Sequence, residues 1–184
     1  MNLPNKLTVL RVILVPVFMA FMLAIPKNAV FVTVSLLIFI IASVTDTLDG
    51  YLARKNNLIT NFGKLMDPLA DKMLTTAAYL GLLSMGRASS WAIMLILTRE
   101  FIVSGVRLVA AGDGTVIAAS VWGKAKTVFQ MVSIIAAFLV MYPICPEETG
   151  IFLTNILVWV SAVITVISGA DYVIKNIKVF KEAK

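Results

Sequence analysis

Histidine is absent from the 184-residue chain, and cysteine occurs once, as Cys145. A single cysteine excludes an intramolecular disulfide and a cysteine-ligated metal site, and the lack of histidine disfavours zinc as well. Charge is scarce too: charged residues make up 14% of the chain, against 60% hydrophobic, and the mean hydropathy is +0.95. These values lie far outside the range of a water-soluble globule and specify an integral membrane protein. The period-2 alternation of an outer-membrane barrel is also missing. Lipid-facing backbone must satisfy its own hydrogen bonds, so helices are expected throughout. No strong repeat, low-complexity tract or long linker breaks the sequence, and residues 1–184 are expected to form a single membrane domain.

Six apolar stretches are present: 8–25, 29–45, 73–85, 91–111, 127–144 and 151–170. A helix needs roughly 20 residues to cross a bilayer core about 30 Å thick. The second and third stretches are too short unless they run past their charges, to about 29–49 and 67–85. The expected architecture is all-α, a polytopic bundle of six transmembrane helices. Of the sixteen basic residues, thirteen fall on one side of that arrangement (Lys6, Arg11, Arg54, Lys55, Lys64, Lys72, Arg107, Lys124, Lys126, Lys175, Lys178, Lys181 and Lys184). Only Lys27 and Arg87 lie opposite, with Arg99 inside a span. The positive-inside rule then places both termini in the cytoplasm. The basic excess flanks spans and has no interleaved aromatic residues, which points to anionic headgroups or an anionic substrate rather than nucleic acid. The first span is long and precedes no cleavage site, so it is expected to be retained. The longer connections, about 50–66 and 112–122, fall on the cytoplasmic side, where function is sought.

Four of the ten acidic residues, Asp46, Asp49, Asp67 and Asp71, lie within the segment "DTLDGYLARKNNLITNFGKLMDPLADK". Spacings of three and four put each pair on one face of its helix. The expected spans place all four in the end turns of two successive helices, on one side of the membrane. Uncompensated carboxylates near a bilayer are costly and mark function by default. Oxygen ligands of this kind suit Mg²⁺ or Mn²⁺, which bind through carboxylates together with substrate phosphates. A simpler reading also fits part of the pattern: Asp67 before Pro68 resembles an N-cap followed by proline at the first helical position. Capping accounts for neither the spacing nor Asp46 and Asp49 near a helix C-terminus, where the dipole disfavours negative charge.

The order Asp46-x2-Asp49-Gly50-x2-Ala53-Arg54-x8-Gly63-x3-Asp67-x3-Asp71 resembles the signature of the CDP-alcohol phosphatidyltransferase family, with every defined position present. The resemblance extends over essentially the whole chain. The segments "NLPNKLTVLR", "TREFIVSGVR" and "GKAKTVFQ" are similar to the branch of that family that uses glycerol 3-phosphate. It implies a homodimer in the cytoplasmic membrane, with its active site facing the cytoplasm. The implied reaction transfers the phosphatidyl group of CDP-diacylglycerol to sn-glycerol 3-phosphate. By position, Asp46, Asp49, Asp67 and Asp71 would hold two divalent cations, Mg²⁺ or Mn²⁺, with Asp71 also the general base. Asp49, Gly50, Ala53 and Arg54 would contact CDP-diacylglycerol, with Asn5 and Thr8 nearby. The residues agree independently, since displacing CMP needs charge neutralised on the attacking and leaving oxygens.

A doubly charged phosphate acceptor requires a basic pocket, and Arg107, Lys124 and Lys126 at cytoplasmic helix ends are its candidates, with Lys64 a weaker one. Positive-inside anchoring and snorkelling are the plain alternative for them. Arg99 and Glu100 fall mid-span, as a structural pair or as lining of a polar cavity. Sibling reactions with inositol phosphate, serine or a lipid glycerol as acceptor remain open, as does a divalent-cation transporter. A transporter would place its carboxylates near the midplane on broken helices.

Overall fold

The computed structural model describes residues 2–25, 28–55, 61–112, 121–141 and 145–176, with side chains at 3–4, 47–54, 61–65, 67–68, 71, 108–109 and 111–112 excluded. These segments are helical: α1 (Leu3–Ala24), α2 (Ala29–Lys55), α3 (Asn61–Ser84), α4 (Ser90–Gly112), α5 (Val121–Met141) and α6 (Glu147–Lys175). The helix starts follow from local chemistry. Asn2 accepts a hydrogen bond from the Asn5 amide at 3.2 Å, and Asn28 accepts one from Val30 at 2.9 Å, so each satisfies an orphan donor of its helix. Glu147 and Glu148 open α6, where the positive end of the dipole favours them. Helix α3 ends in a Schellman turn: Gly86 has φ of 68°, its amide donates to Leu83 at 2.9 Å, and the Arg87 amide donates to Leu82 at 2.9 Å. Only glycine takes that backbone conformation without strain.

Four helices, α1, α2, α5 and α6, are long and apolar enough to cross a membrane. Helices α3 and α4 carry Lys64, Asp67, Asp71 and Lys72, and Arg99, Glu100 and Arg107, respectively, which keeps them out of that set. Apolar side chains such as Ile13, Val30, Leu37 and Phe152 stand outward. Ser133, Thr154, Ser161, Thr165 and Ser168 are turned inward. This distribution is the reverse of a soluble globule and is the pattern of helices packed in lipid, where small and hydroxylated residues occupy the contacts.

Most of the buried apolar residues form one cluster drawing on all six helices. Phe18 of α1 sits at its centre, with ring centroids 5.9 Å from both Phe39 of α2 and Phe138 of α5. Each such pair contributes about 0.5–1.5 kcal/mol beyond its burial. Helix α1 packs on α2 and α3, while α6 packs on α5 and α4. Close approach of α5 and α6 depends on Gly150, where a Cβ would stand 2.7 Å from the Val140 carbonyl oxygen and 3.2 Å from Arg87 Nη1.

The helices also correct several expectations. Helix α2 continues past Asp49 to Lys55, and α3 begins at Asn61 rather than Asp67. Asp67 and Pro68 therefore lie inside α3, and Asp67 is not its N-cap. Asp46 and Asp49 lie well before the end of α2, not in its last turn, and Gly50 and Gly63 are helical. The connection expected over 50–66 shrinks to 56–60, outside the described residues. Charged ends of a helix project beyond the apolar layer, where hydropathy carries no boundary signal.

Gly150→Ala should lower the thermal midpoint in detergent, because an added methyl must push backbone apart at a cost of about 1–3 kcal/mol. Gly105 lies on α4 with nothing near a would-be Cβ. Gly105→Ala should instead raise the midpoint, by the gain of about 0.5–1 kcal/mol from replacing glycine inside a helix. Equal effects of the two substitutions in a melting assay would contradict the close α5–α6 contact.

Candidate functional site

On α1 the buried residues Asn5, Thr8, Arg11, Val15, Phe18 and Met22 recur every three or four positions, so they form one stripe of the helix. Its first half is polar and its second half apolar. Arg11 has 0% exposure. Its guanidinium donates through Nε to the Ala42 carbonyl at 3.3 Å and pairs through Nη1 with Asp46 Oδ1 at 2.6 Å. The two contacts fix the arginine to α2 at both a backbone and a carboxylate group. A buried guanidinium is tolerated only with such compensation. Arg11, one of the basic residues counted on the cytoplasmic side, therefore turns into the bundle and orients the first aspartate of the signature.

Asp46 is the signature aspartate whose side chain the structure describes, and it is about one-third exposed. The side chains of Asp49, Arg54, Lys64, Asp67 and Asp71, and the surroundings of Gly50 and Ala53, lie outside the described residues. Their backbones are helical, on the C-terminal half of α2 and the N-terminal half of α3. Asp46 is the one carboxylate of this site among the described residues, and no group of three or more potential metal ligands converges among them. It offers the hard oxygen that a divalent cation takes, and it is held by a second side chain, as ligating carboxylates usually are.

A second polar cluster lies on α4, α5 and α6, toward the same end of the bundle. Lys126 on α5 is 6% exposed and pairs with Glu100 Oε1 on α4. The same oxygen lies 3.5 Å from Arg99 Nη1, while Arg99 Nη2 donates to Ser168 Oγ on α6 at 2.8 Å. Arg99 passes α6 where Gly169 leaves room, since a Cβ there would stand 2.7 Å from Arg99 Cγ. One turn along α4, Ser104 Oγ donates to the Glu100 carbonyl at 2.6 Å and accepts from Lys72 Nζ of α3. Two turns along, the Arg107 guanidinium lies 5.4 Å from the centroid of the Tyr172 ring, a cation–π distance. Gln130 of α5 donates to Thr165 of α6 at 3.1 Å.

Several sequence-predicted residues are thus brought together. Asn5 and Thr8 line the stripe that continues into Arg11 and Asp46. Lys126 joins Arg99, Glu100 and Ser168, and Arg107 caps the same face of α4. Lys124 is exposed and two residues from Lys126, so it lies on another face of α5. Lys72 immediately follows Asp71 on α3, and its contact with Ser104 ties the aspartate helices to the cationic cluster. Glu100 proves to be paired chiefly with Lys126, across helices, and not only with its neighbour Arg99.

Arg11, Ser104, Ser168, Gly169 and Tyr172 did not stand out in the sequence. Arg11 carried one usable signal: it lies three residues after Thr8 within an apolar run, where an intramembrane charge calls for a named partner. Ser168, Gly169 and Tyr172 resemble ordinary small and interfacial residues of a span, and only the crossing of α4 and α6 gives them meaning.

Comparison with known proteins gives the arrangement a context. Residues 1–167 match the CDP-alcohol phosphatidyltransferase family. A CDP-diacylglycerol–glycerol-3-phosphate 3-phosphatidyltransferase from Bacillus subtilis is 43% identical, over 98% of this chain and 97% of that protein. The protein of the same name from Haemophilus influenzae is 40% identical over 93% and 91% of the two chains. A probable phosphatidylglycerophosphate synthase from Mycobacterium tuberculosis is 38% identical over 96% of this chain and 82% of that one. With the aspartate signature on two adjoining helices, Arg11 behind its first carboxylate and the match running nearly end to end, the chain belongs to the CDP-alcohol phosphatidyltransferase family.

Proposed function

We propose that this protein transfers the phosphatidyl group of CDP-diacylglycerol to sn-glycerol 3-phosphate, yielding phosphatidylglycerophosphate and CMP in phospholipid biosynthesis. The observation that carries the reading is identity of 37–43%, over nearly the whole chain, to relatives named for this activity. The cationic cluster suits an acceptor that carries a free phosphate, which serine does not offer to Lys126 and Arg107. In this reading α3 and α4 complete a six-span bundle. Both termini and the polar end face the cytoplasm, in a homodimeric protein of the cell membrane.

The acceptor hydroxyl attacks the phosphatidyl phosphorus, the bond from that phosphorus to the CMP oxygen breaks, and the hydroxyl proton passes to Asp71. Asp46, Asp49, Asp67 and Asp71 would hold two divalent cations, Mg²⁺ or Mn²⁺, which when bound neutralise charge on the attacking and leaving oxygens. Arg11 keeps Asp46 turned toward that site. Asp49, Gly50, Ala53 and Arg54, with Asn5 and Thr8, bind the cytidine diphosphate part of the lipid donor. Lys124, exposed on another face of α5, is left to the lipid headgroups, and Arg107 and Lys126, with Lys64, hold the acceptor's phosphate. These cations act by position, since a charge-assisted hydrogen bond to phosphate is about twice as strong as a neutral one.

Chelation with EDTA should abolish CMP release, and Mg²⁺ or Mn²⁺ should restore it. Asp46→Asn should remove nearly all activity in protein that remains folded in detergent. Full turnover in EDTA would sink the metal assignment.

Arg11→Gln should reduce turnover by about 10- to 100-fold, the usual loss when the partner of a ligating carboxylate is removed. It should also raise the Mg²⁺ concentration needed for half-maximal rate. Arg11→Lys should recover only part of the loss, because lysine cannot bond Asp46 and the Ala42 carbonyl through one planar group. An unchanged Mg²⁺ requirement in Arg11→Gln would reduce the arginine to a packing role.

Arg107→Gln and Lys126→Gln should each raise the KM for glycerol 3-phosphate more than that for CDP-diacylglycerol, and free glycerol should be a poor acceptor. Normal acceptor KM values in both variants would leave Lys126 a structural partner of Glu100 and Arg107 a membrane anchor.

A further inference from the structure

Glu100 has no part in the proposed chemistry, yet it stands inside the acceptor cluster with a charge of the wrong sign for a phosphate site. Around it are Lys126 and Arg99 on the same carboxylate oxygen, Lys72 one turn away through Ser104, and Arg107 two turns along the helix. The closeness of these contacts is unequal. Arg99 is 3.5 Å from Glu100 and has its short hydrogen bond, 2.8 Å, to Ser168. Glu100 is thus Lys126's partner more than Arg99's, and Lys126 is the compact, mobile cation of the pair. A lysine ammonium on a four-carbon stem can change partners by rotating its stem, which a guanidinium locked between two helices cannot do.

The substrate chemistry supplies a reason for such a partner. The phosphate of the acceptor is not consumed: the new bond forms at its hydroxyl, so substrate and product carry the same dianion into and out of the cluster. Cations that grip that phosphate equally before and after transfer strengthen binding without speeding the reaction, and they retard departure of the product. A carboxylate that takes back the lysine offsets that grip.

Resting on the acceptor reading above, we infer that Glu100 is an exchangeable internal counter-ion: it holds Lys126 when no acceptor is bound, yields it to the acceptor's phosphate, and reclaims it as the phosphate-bearing product leaves. It is a positioning residue, acting through Lys126 and not on the reacting atoms.

The test measures steady-state kinetics and product inhibition of the full-length protein in nanodiscs, for Glu100→Gln, Glu100→Asp and Lys126→Gln. Glu100→Gln is expected to lower the KM for glycerol 3-phosphate about three- to tenfold, the size of one charge interaction at a partly solvated site. It should leave the KM for CDP-diacylglycerol unchanged and lower kcat. It should also strengthen competitive inhibition by inorganic phosphate and inhibition by phosphatidylglycerophosphate in the same proportion. Glu100→Asp withdraws the carboxylate by one methylene and should shift every quantity the same way by less, so it serves if the Gln variant fails to fold. A merely structural pair predicts otherwise: lower melting temperature and kcat with an acceptor KM and phosphate inhibition that are unchanged or weaker. That result in either Glu100 variant, with Lys126→Gln raising the acceptor KM, overturns the exchange and leaves the acceptor site standing. A normal acceptor KM in Lys126→Gln removes Lys126 from the acceptor site and overturns the exchange with it, and a normal value in Arg107→Gln as well overturns the acceptor site itself.

Discussion

An ion buried in an apolar helix bundle must find a counter-ion or a set of hydrogen bonds, and this constraint organises one end of the molecule. Arg11 at full burial is acceptable because Asp46 and the Ala42 carbonyl meet it. Lys126 is acceptable because Glu100 meets it. Replacing either pair with packed apolar groups would be neutral or better for stability. Their presence is therefore an expenditure of stability on the precise aim of side chains. What they aim is the first signature carboxylate in one case and the Lys126 ammonium in the other.

The two pairs divide the chemistry of transfer between two halves of the bundle. Helices α1, α2 and α3 carry the carboxylates and the groups assigned to the lipid donor, whereas α4, α5 and α6 carry the cations assigned to the soluble acceptor. Lys72, on the aspartate helix α3 but bonded to Ser104 of α4, joins the halves. Below this polar layer the interior becomes aromatic and aliphatic around Phe18, so rigid packing supports the site from beneath. Lipid offers no hydrophobic drive for helix association. The close contacts at Gly150 and Gly169 and the bonds between helices consequently carry much of the specificity of assembly.

The sequence disclosed the chemistry better than the boundaries. Six helices were legible from six apolar runs, since an apolar segment in lipid can satisfy its backbone only by coiling on itself, although only four of the helices are long and apolar enough to cross a membrane. The aspartate signature was legible because carboxylates at helical spacing stand out against so oily a background. The ends of α2 and α3 were not: beyond the apolar layer, Leu52 to Lys55 and Asn61 to Met66 resemble a polar loop, and only helix continuation keeps Asp49 and Asp67 in register. The inward turn of Arg11 was not legible for a related reason. Counting basic residues assigns a side of the membrane but not an inward or outward direction, and that direction is set by the partner waiting on α2. Arg99 and Glu100 were recognised as costly, but their resolution required Lys126 and Ser168, which come from helices far along the chain.

That last separation bears on how the protein is made. Helix α4 is synthesised before α5 and α6, so when Arg99 and Glu100 leave the ribosome neither Lys126 nor Ser168 exists to receive them. Under the six-span topology, the least apolar hairpin, α3 and α4, must then wait at the insertion machinery or the lipid interface with its charges partly hydrated, supported by α1 through its packing on α3. Only when α6 emerges, with Gly169 opening space for Arg99, can α4 settle to full depth. The cationic cluster is thus the last to be assembled. A ribosome stalled before residue 168 would leave a membrane protein whose carboxylate helices are complete and whose cationic cluster is not.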